Sequence, residues 1–125
     1  MMTPGFLVEQ CTITTSGEGA LLAVEAPTAG RMVQLTLGIT NASEQSSLDV
    51  SIYTSADGET WSGQAAVTFP QRFYKGVAAL LLNVEDGSKD GSKVKYLRAK
   101  WKVSRWGRGS LTPEFGIYIF AEELP

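Results

Sequence analysis

Histidine is missing from all 125 residues. Its absence excludes Ser-His and Cys-His nucleophile pairs, imidazole acid-base chemistry near neutral pH, and zinc sites built on histidine. Cysteine is nearly as scarce. Cys11 stands alone, so no intrachain disulfide can form, and its plain reading is a small apolar residue on a strand. No apolar run approaches the ~20 residues that span a bilayer as a helix, the longest candidate being Val77 to Leu82. No segment sustains an apolar stripe at helical spacing. A basic stretch leading into an apolar one is also lacking at Met1-Met2-Thr3-Pro4-Gly5, which leaves secretion unsignalled and points to the cytoplasm or the interior of a virion or similar particle.

The chain is 43% hydrophobic and 19% charged, the balance of an ordinary water-soluble globular protein. Its length suits one unit with its own core, so residues 1–125 read as a single domain.

Period-2 alternation recurs between turn signals, and it predicts strands. In residues 31–40, Val33, Leu35, Leu37 and Ile39 share one face while Gln34, Thr36 and Thr40 share the other. In residues 47–54, Leu48, Val50 and Ile52 point inward and Asp49, Ser51 and Tyr53 outward, and an Asp57-Gly58 turn follows. Residues 60–69 read as a weaker strand stopped by Pro70, which has no N–H for a ladder. Residues 77–84 are apolar on both faces and so are expected in a central position, covered on both sides.

In residues 94–103 an apolar set, Leu97, Ala99, Trp101 and Val103, alternates with Tyr96, Arg98, Lys100 and Lys102. The closing strand, residues 115–121, is again apolar on both faces. With residues 6–14 and 21–26 added, about eight short strands result, and Gly17-Glu18-Gly19 reads as a turn between the first two. The fold class implied is all-β: a two-sheet antiparallel β-sandwich of jelly-roll type, with a closed β-barrel as the second arrangement.

The run Ser55-Ala56-Asp57-Gly58-Glu59-Thr60-Trp61, preceded by a strand, resembles the S-x-D-G-x-x-W turn of discoidin-like (coagulation factor type C) and related galactose-binding-like sandwiches. Lys95-Tyr96-Leu97-Arg98-Ala99 is similar to a strand that follows in those domains. The resemblance implies a jelly-roll sheet and loops at one end that hold a glycan or other small ligand. In this chain such a ligand would meet Tyr53, Trp61, Arg72, Tyr74 and Trp106. In the turn, Asp-Gly makes the reversal and Trp61 is expected to return and cap the core; Trp61 and Trp101 both read as buried.

Catalytic chemistry finds little support. Asp49, Asp57, Glu59, Glu85 and Asp86 could supply a carboxylate pair, but all sit at predicted turns or outward positions. Asp86-Gly87-Ser88-Lys89-Asp90-Gly91 has part of a calcium loop's oxygen spacing, yet its twelfth position is Leu97 and Lys89 and Lys93 are cationic, so a solvated hairpin tip is the simpler reading. No metal or cofactor is expected, and the chain reads as non-enzymatic.

Charge is segregated along the chain. Residues 1–71 hold one basic residue against seven acidic ones, a net −6; residues 72–110 hold ten against three, +7; the remainder carries −3, for a total of −2. Arg98, Lys100, Lys102, Arg105 and Arg108 form the positive surface, and Trp106 in the Gly-rich turn reads as core or turn packing first and as an exposed aromatic anchor second. This surface suits a solvated sheet face, a complementary contact between subunits, or single-stranded nucleic acid stacked on Tyr96 or Trp106. The features together point to a structural or accessory subunit of a larger assembly, such as a phage virion or tail, associating with copies of itself or with other subunits. The ligand-binding module is the alternative.

Overall fold

The computed structural model describes residues 5–23, 32–55, 57–61, 63–83, 96–105 and 112–123. Every regular element among them is a strand: β1 (Gly5–Ile13), β2 (Gly17–Glu18), β3 (Leu22–Ala23), β4 (Met32–Ala42), β5 (Ser46–Ser55), β6 (Val67–Thr68), β7 (Gly76–Asn83), β8 (Tyr96–Arg105) and β9 (Phe115–Glu123). Among the described residues no helix is long and apolar enough to cross a membrane.

Alternation sorts the side chains as the sequence implies. Val33, Leu35, Leu37 and Ile39 of β4 and Leu48, Val50 and Ile52 of β5 are buried, while Thr36 and Tyr53 between them are half-buried. The strands form two antiparallel sheets. One runs β1-β9-β4-β7; in the other β8 pairs with β5, β5 with β6, and both β2 and β3 lie along the far edge of β8. The Gly19 N–H donates to the Ala99 carbonyl between them (2.9 Å), so β2 and β3 act as one interrupted strand. Each sheet then has four positions, and the chain alternates between sheets as a jelly roll does. The two sheets are separate and do not close into a barrel.

The core lies between them. Leu35, Leu37, Ile117 and Ile119 from one sheet meet Leu48, Ile52 and Leu97 from the other, and Phe115 and Phe69 are equally enclosed. Where the chain leaves β4 for β5 it crosses between sheets through a corner held by hydroxyls. Ser43 Oγ lies 2.9 Å from Ser46 Oγ and accepts from the Glu114 N–H (2.8 Å), and Gln45 takes a left-handed φ of 56°.

Four sequence expectations give way. Residues 77–84 do not lie centrally: β7 is the edge of its sheet, and Val77 and Leu81 are exposed. An edge strand can be apolar on both faces when its outer face is left uncovered, and composition cannot separate the two cases. Residues 60–69 supply only the two-residue β6 and a single bridge from Trp61 to Ser55; the pairing to β5 then steps past Pro70 and resumes at Arg72, opposite Leu48. Gly17 and Glu18, expected in a turn, pair with Trp101 and Lys100. Finally, both tryptophans are half-buried. Trp101 packs against the core and donates from Nε1 to the Thr15 carbonyl (3.1 Å), but Trp61 lies outside the core cluster. Residues 85–93, expected as a hairpin tip, and residues 106–110, expected as a Gly-rich turn, lie outside the described residues.

One close approach depends on a glycine. The Tyr118 ring lies across Gly38 on the neighbouring strand, and a Cβ there would overlap the ring. Gly38→Ala is therefore expected to destabilise the fold, with the penalty about 1 kcal/mol smaller in a Tyr118→Ala background, as read from a double-mutant cycle of denaturant midpoints.

Candidate functional site

The cationic strand singled out by sequence presents Arg98, Lys100 and Lys102 on the outer face of the β8 sheet, where Arg98 and Lys100 are met within the chain. Register places Arg98 beside Tyr53, Lys100 beside Ser51 and Lys102 beside Asp49. From the other side β2 brings Glu18, whose carboxylate oxygens lie 3.6 Å from Arg98 Nη1 and 3.9 Å from Lys100 Nζ. Two aromatic rings complete the arrangement. The Arg98 guanidinium sits 4.2 Å from the Trp61 ring centre and Lys100 Nζ 4.7 Å from that of Tyr53. Trp61 therefore covers a cation rather than the core. Asp49, opposite Lys102, also accepts from Gln71 Nε2 (3.1 Å). Three cations face two carboxylates here, so the surface is a mixed ladder and not a strongly positive field.

The structure thus joins two groups that sequence kept apart. Arg98 and Lys100 of the expected contact surface stand against Trp61 and Tyr53 of the expected ligand loop. Arg105 departs from them: opposite Ser46, it takes the parity of Trp101 and Val103 rather than that of Lys102. Trp106 and Arg108 lie outside the described residues.

The turn that presents Trp61 is tied by its own side chains. The Asp57 carboxylate accepts from the N–H groups of Thr60 and Glu59 (both 2.8 Å), and Ser55 Oγ accepts from the Gly58 N–H (2.8 Å) while donating to the Thr60 carbonyl (2.6 Å). Gly58 has φ +82°, the left-handed conformation the reversal requires. Hydrogen bonds from Thr60, then Glu59, then the Ser55 hydroxyl hold the Asp57 carboxyl below its ordinary value of 3.8.

Arg72 and Tyr74 are elsewhere. They line a cleft of about 260 Å³ between the β6–β7 segment and residues Leu37 and Ile39 of β4, together with Phe73 and Lys75. Among the described residues no carboxylate lines it. The Arg72 backbone is fixed by paired hydrogen bonds to Leu48 (2.8 and 2.9 Å), whereas its Nε is buried with no hydrogen-bond partner among the described residues. Tyr74 is 81% exposed.

A further surface was expected from sequence only as the two-sided apolar character of the closing strand, with no residue assigned to it. The outer face of the other sheet carries Phe6, Tyr118 and Phe120, with Phe6 edge-on to Phe120 at 5.0 Å and to Tyr118 at 6.4 Å. Across the outward β4 row of Gln34, Thr36 and Gly38, the same face carries Val77 and Leu81 of β7. Phe6, Val77 and Leu81 are 49%, 68% and 52% exposed. The signal available in sequence was the two-sided apolar pattern of residues 77–84 and 115–121, which read equally well as burial. Among the described residues no group of three or more acidic or thiol side chains could hold a metal ion.

The turn yields a pH prediction. Because folding lowers the Asp57 pKa, its contribution is complete above the ordinary value of 3.8 and is lost as pH falls through the lower folded value. Asp57→Asn is expected to flatten that part of the acid limb, measured as urea midpoints against pH; an unchanged slope counts against the assignment. Among known proteins, no family model, no curated protein and no solved structure matches the chain.

Proposed function

We propose that this chain is a non-enzymatic structural or accessory subunit of a larger protein assembly, of the kind that builds a phage virion or tail, and that it associates with copies of itself. The observation that carries this reading is the contrast between the two outer faces. On the β8 sheet Arg98 and Lys100 are met by Glu18 and aromatic rings of the same chain, and Lys102 lies opposite Asp49 in the register. On the β9 sheet Phe6 is open to solvent against Tyr118 and Phe120, and Val77 and Leu81 are open on the far side of β4. Exposed apolar groups of this kind mark contact sites when they gather on one face, and aromatic residues are enriched at the centres of such sites. The jelly roll supports the reading, being an architecture of capsid domains, although it also serves lectins.

A small-ligand module of discoidin-like type is the second reading, favoured by a cleft that, among the described residues, has no carboxylate in its lining and leaves the buried Nε of Arg72 without a partner. On that reading a carboxylated sugar binds in calorimetry and Arg72→Ala weakens it at least tenfold; absence of heat with a panel of neutral and acidic sugars removes the reading.

Light scattering across protein concentration at low and high salt tests the assembly. Association through apolar contacts is expected to persist or strengthen with salt. Association that loosens with salt and responds to Arg98→Glu instead assigns the contact to the charged face. A strict monomer at all concentrations and salts ends the proposal.

A further inference from the structure

The two sheets have four edges, and three of them are blunted. β1 breaks register twice, between Phe6 and Val8 and between Val8 and Cys11, and carries Glu9 and Gln10. β6 is two residues long and runs into Pro70. The edge formed by β2 and β3 is interrupted at residues 19–21. Bulges, short strands, proline and charge are the devices by which sheet proteins keep their edges from pairing with other chains.

β7 has none of these. It pairs with β4 in unbroken register from Met32 opposite Asn83 to Ile39 opposite Gly76. Its sequence, Gly-Val-Ala-Ala-Leu-Leu-Leu-Asn, contains no charge and no proline. Among the described residues nothing pairs with its outer side. An uncharged, regular edge of about 26 Å, at 3.3 Å per residue, is a template for one more strand.

We propose that β7 is the contact by which two copies of this chain join, pairing antiparallel with its own counterpart across a two-fold axis, so that the two β1-β9-β4-β7 sheets become one continuous sheet. The inference rests on the assembly reading above and names its interface.

Charge selects the occupant and the direction. In the sequence, basic Lys75 directly precedes β7 and acidic Glu85 and Asp86 follow it. Antiparallel pairing of two copies therefore sets unlike ends together at both extremities, whereas parallel pairing sets like against like. The two-fold makes the contact isologous, each copy presenting the same patch. A register centred on Leu80 keeps the pleat of both strands in phase: Leu80 faces Leu80 on the inner side, and Ala79 faces Leu81 on the outer. The outer row of Val77, Ala79 and Leu81 then abuts its own copy, and side chains exposed in the monomer become neighbours across the seam.

The test combines solution mass with amide hydrogen exchange on the full chain. Wild-type protein is expected to double in mass as concentration rises, with amides of residues 76–83 slowing in step. Val77→Lys with Leu81→Lys places like charges along the seam and should weaken dimerisation at least tenfold, while Val77→Thr with Leu81→Thr keeps strand propensity and retains the dimer. Both positions are exposed in the monomer, so the lysine variant is expected to unfold thermally like the parent; should it fail to fold, exchange on the wild type still decides. A mass that rises while the amides of residues 76–83 exchange at an unchanged rate overturns the β7 contact and leaves the assembly reading standing. A wild-type chain that stays monomeric at every concentration overturns both.

Discussion

Mutual burial of two inner sheet faces is the constraint on which the rest of this molecule depends. Leu35, Leu37, Ile117 and Ile119 on one side and Leu48, Ile52 and Leu97 on the other are almost wholly removed from water. Each such side chain contributes about 1.5–3 kcal/mol of transfer free energy, the main offset to the entropy lost in ordering the chain. Because strand side chains alternate, committing one face of each strand to this layer commits the other to the outside. The outer faces are thus free to differ, and they do.

On the β8 sheet the outside is organised by pairing within the chain. Arg98 lies between Glu18 and the Trp61 ring, and Lys100 between Glu18 and Tyr53, so β2, β5, β8 and the Asp57 turn are linked across the surface. Exposed ion pairs contribute little individually, and a cation held against a ring adds modestly. Their larger effect is to orient long side chains that would otherwise reach into solvent. On the β9 sheet the outside lacks such compensation: aromatic and aliphatic groups sit in the open beside an edge strand without charge. That surface lies outside the core enclosed between the sheets.

The cleft at Arg72 is a consequence of the crossing from β6 to β7. Paired hydrogen bonds to Leu48 anchor the Arg72 backbone to one sheet, while β7 pairs with β4 in the other. The segment between spans the gap between sheets, and Phe73, Tyr74 and Lys75 fall at its mouth.

Sequence alone determined the fold class, because period 2 is a property of neighbouring residues. Val33 to Ile39, Leu48 to Ile52 and Leu97 to Val103 each declare a strand and its buried side without reference to any other segment. The Asp57-Gly58 reversal is local in the same sense, since its partners Ser55 and Thr60 lie within the turn. Tertiary structure alone decided which strand sits at an edge, and with it whether an apolar face is covered. β7 and β9 are both apolar on two sides, yet β9 lies between β1 and β4 while β7 ends its sheet. Glu18 and Arg98 are eighty residues apart and meet only because β2 lies beside β8, as Arg98 and Trp61 meet only through the Ser55 bridge. Neighbours across a sheet are set by strand order, a long-range property that no window of the sequence contains.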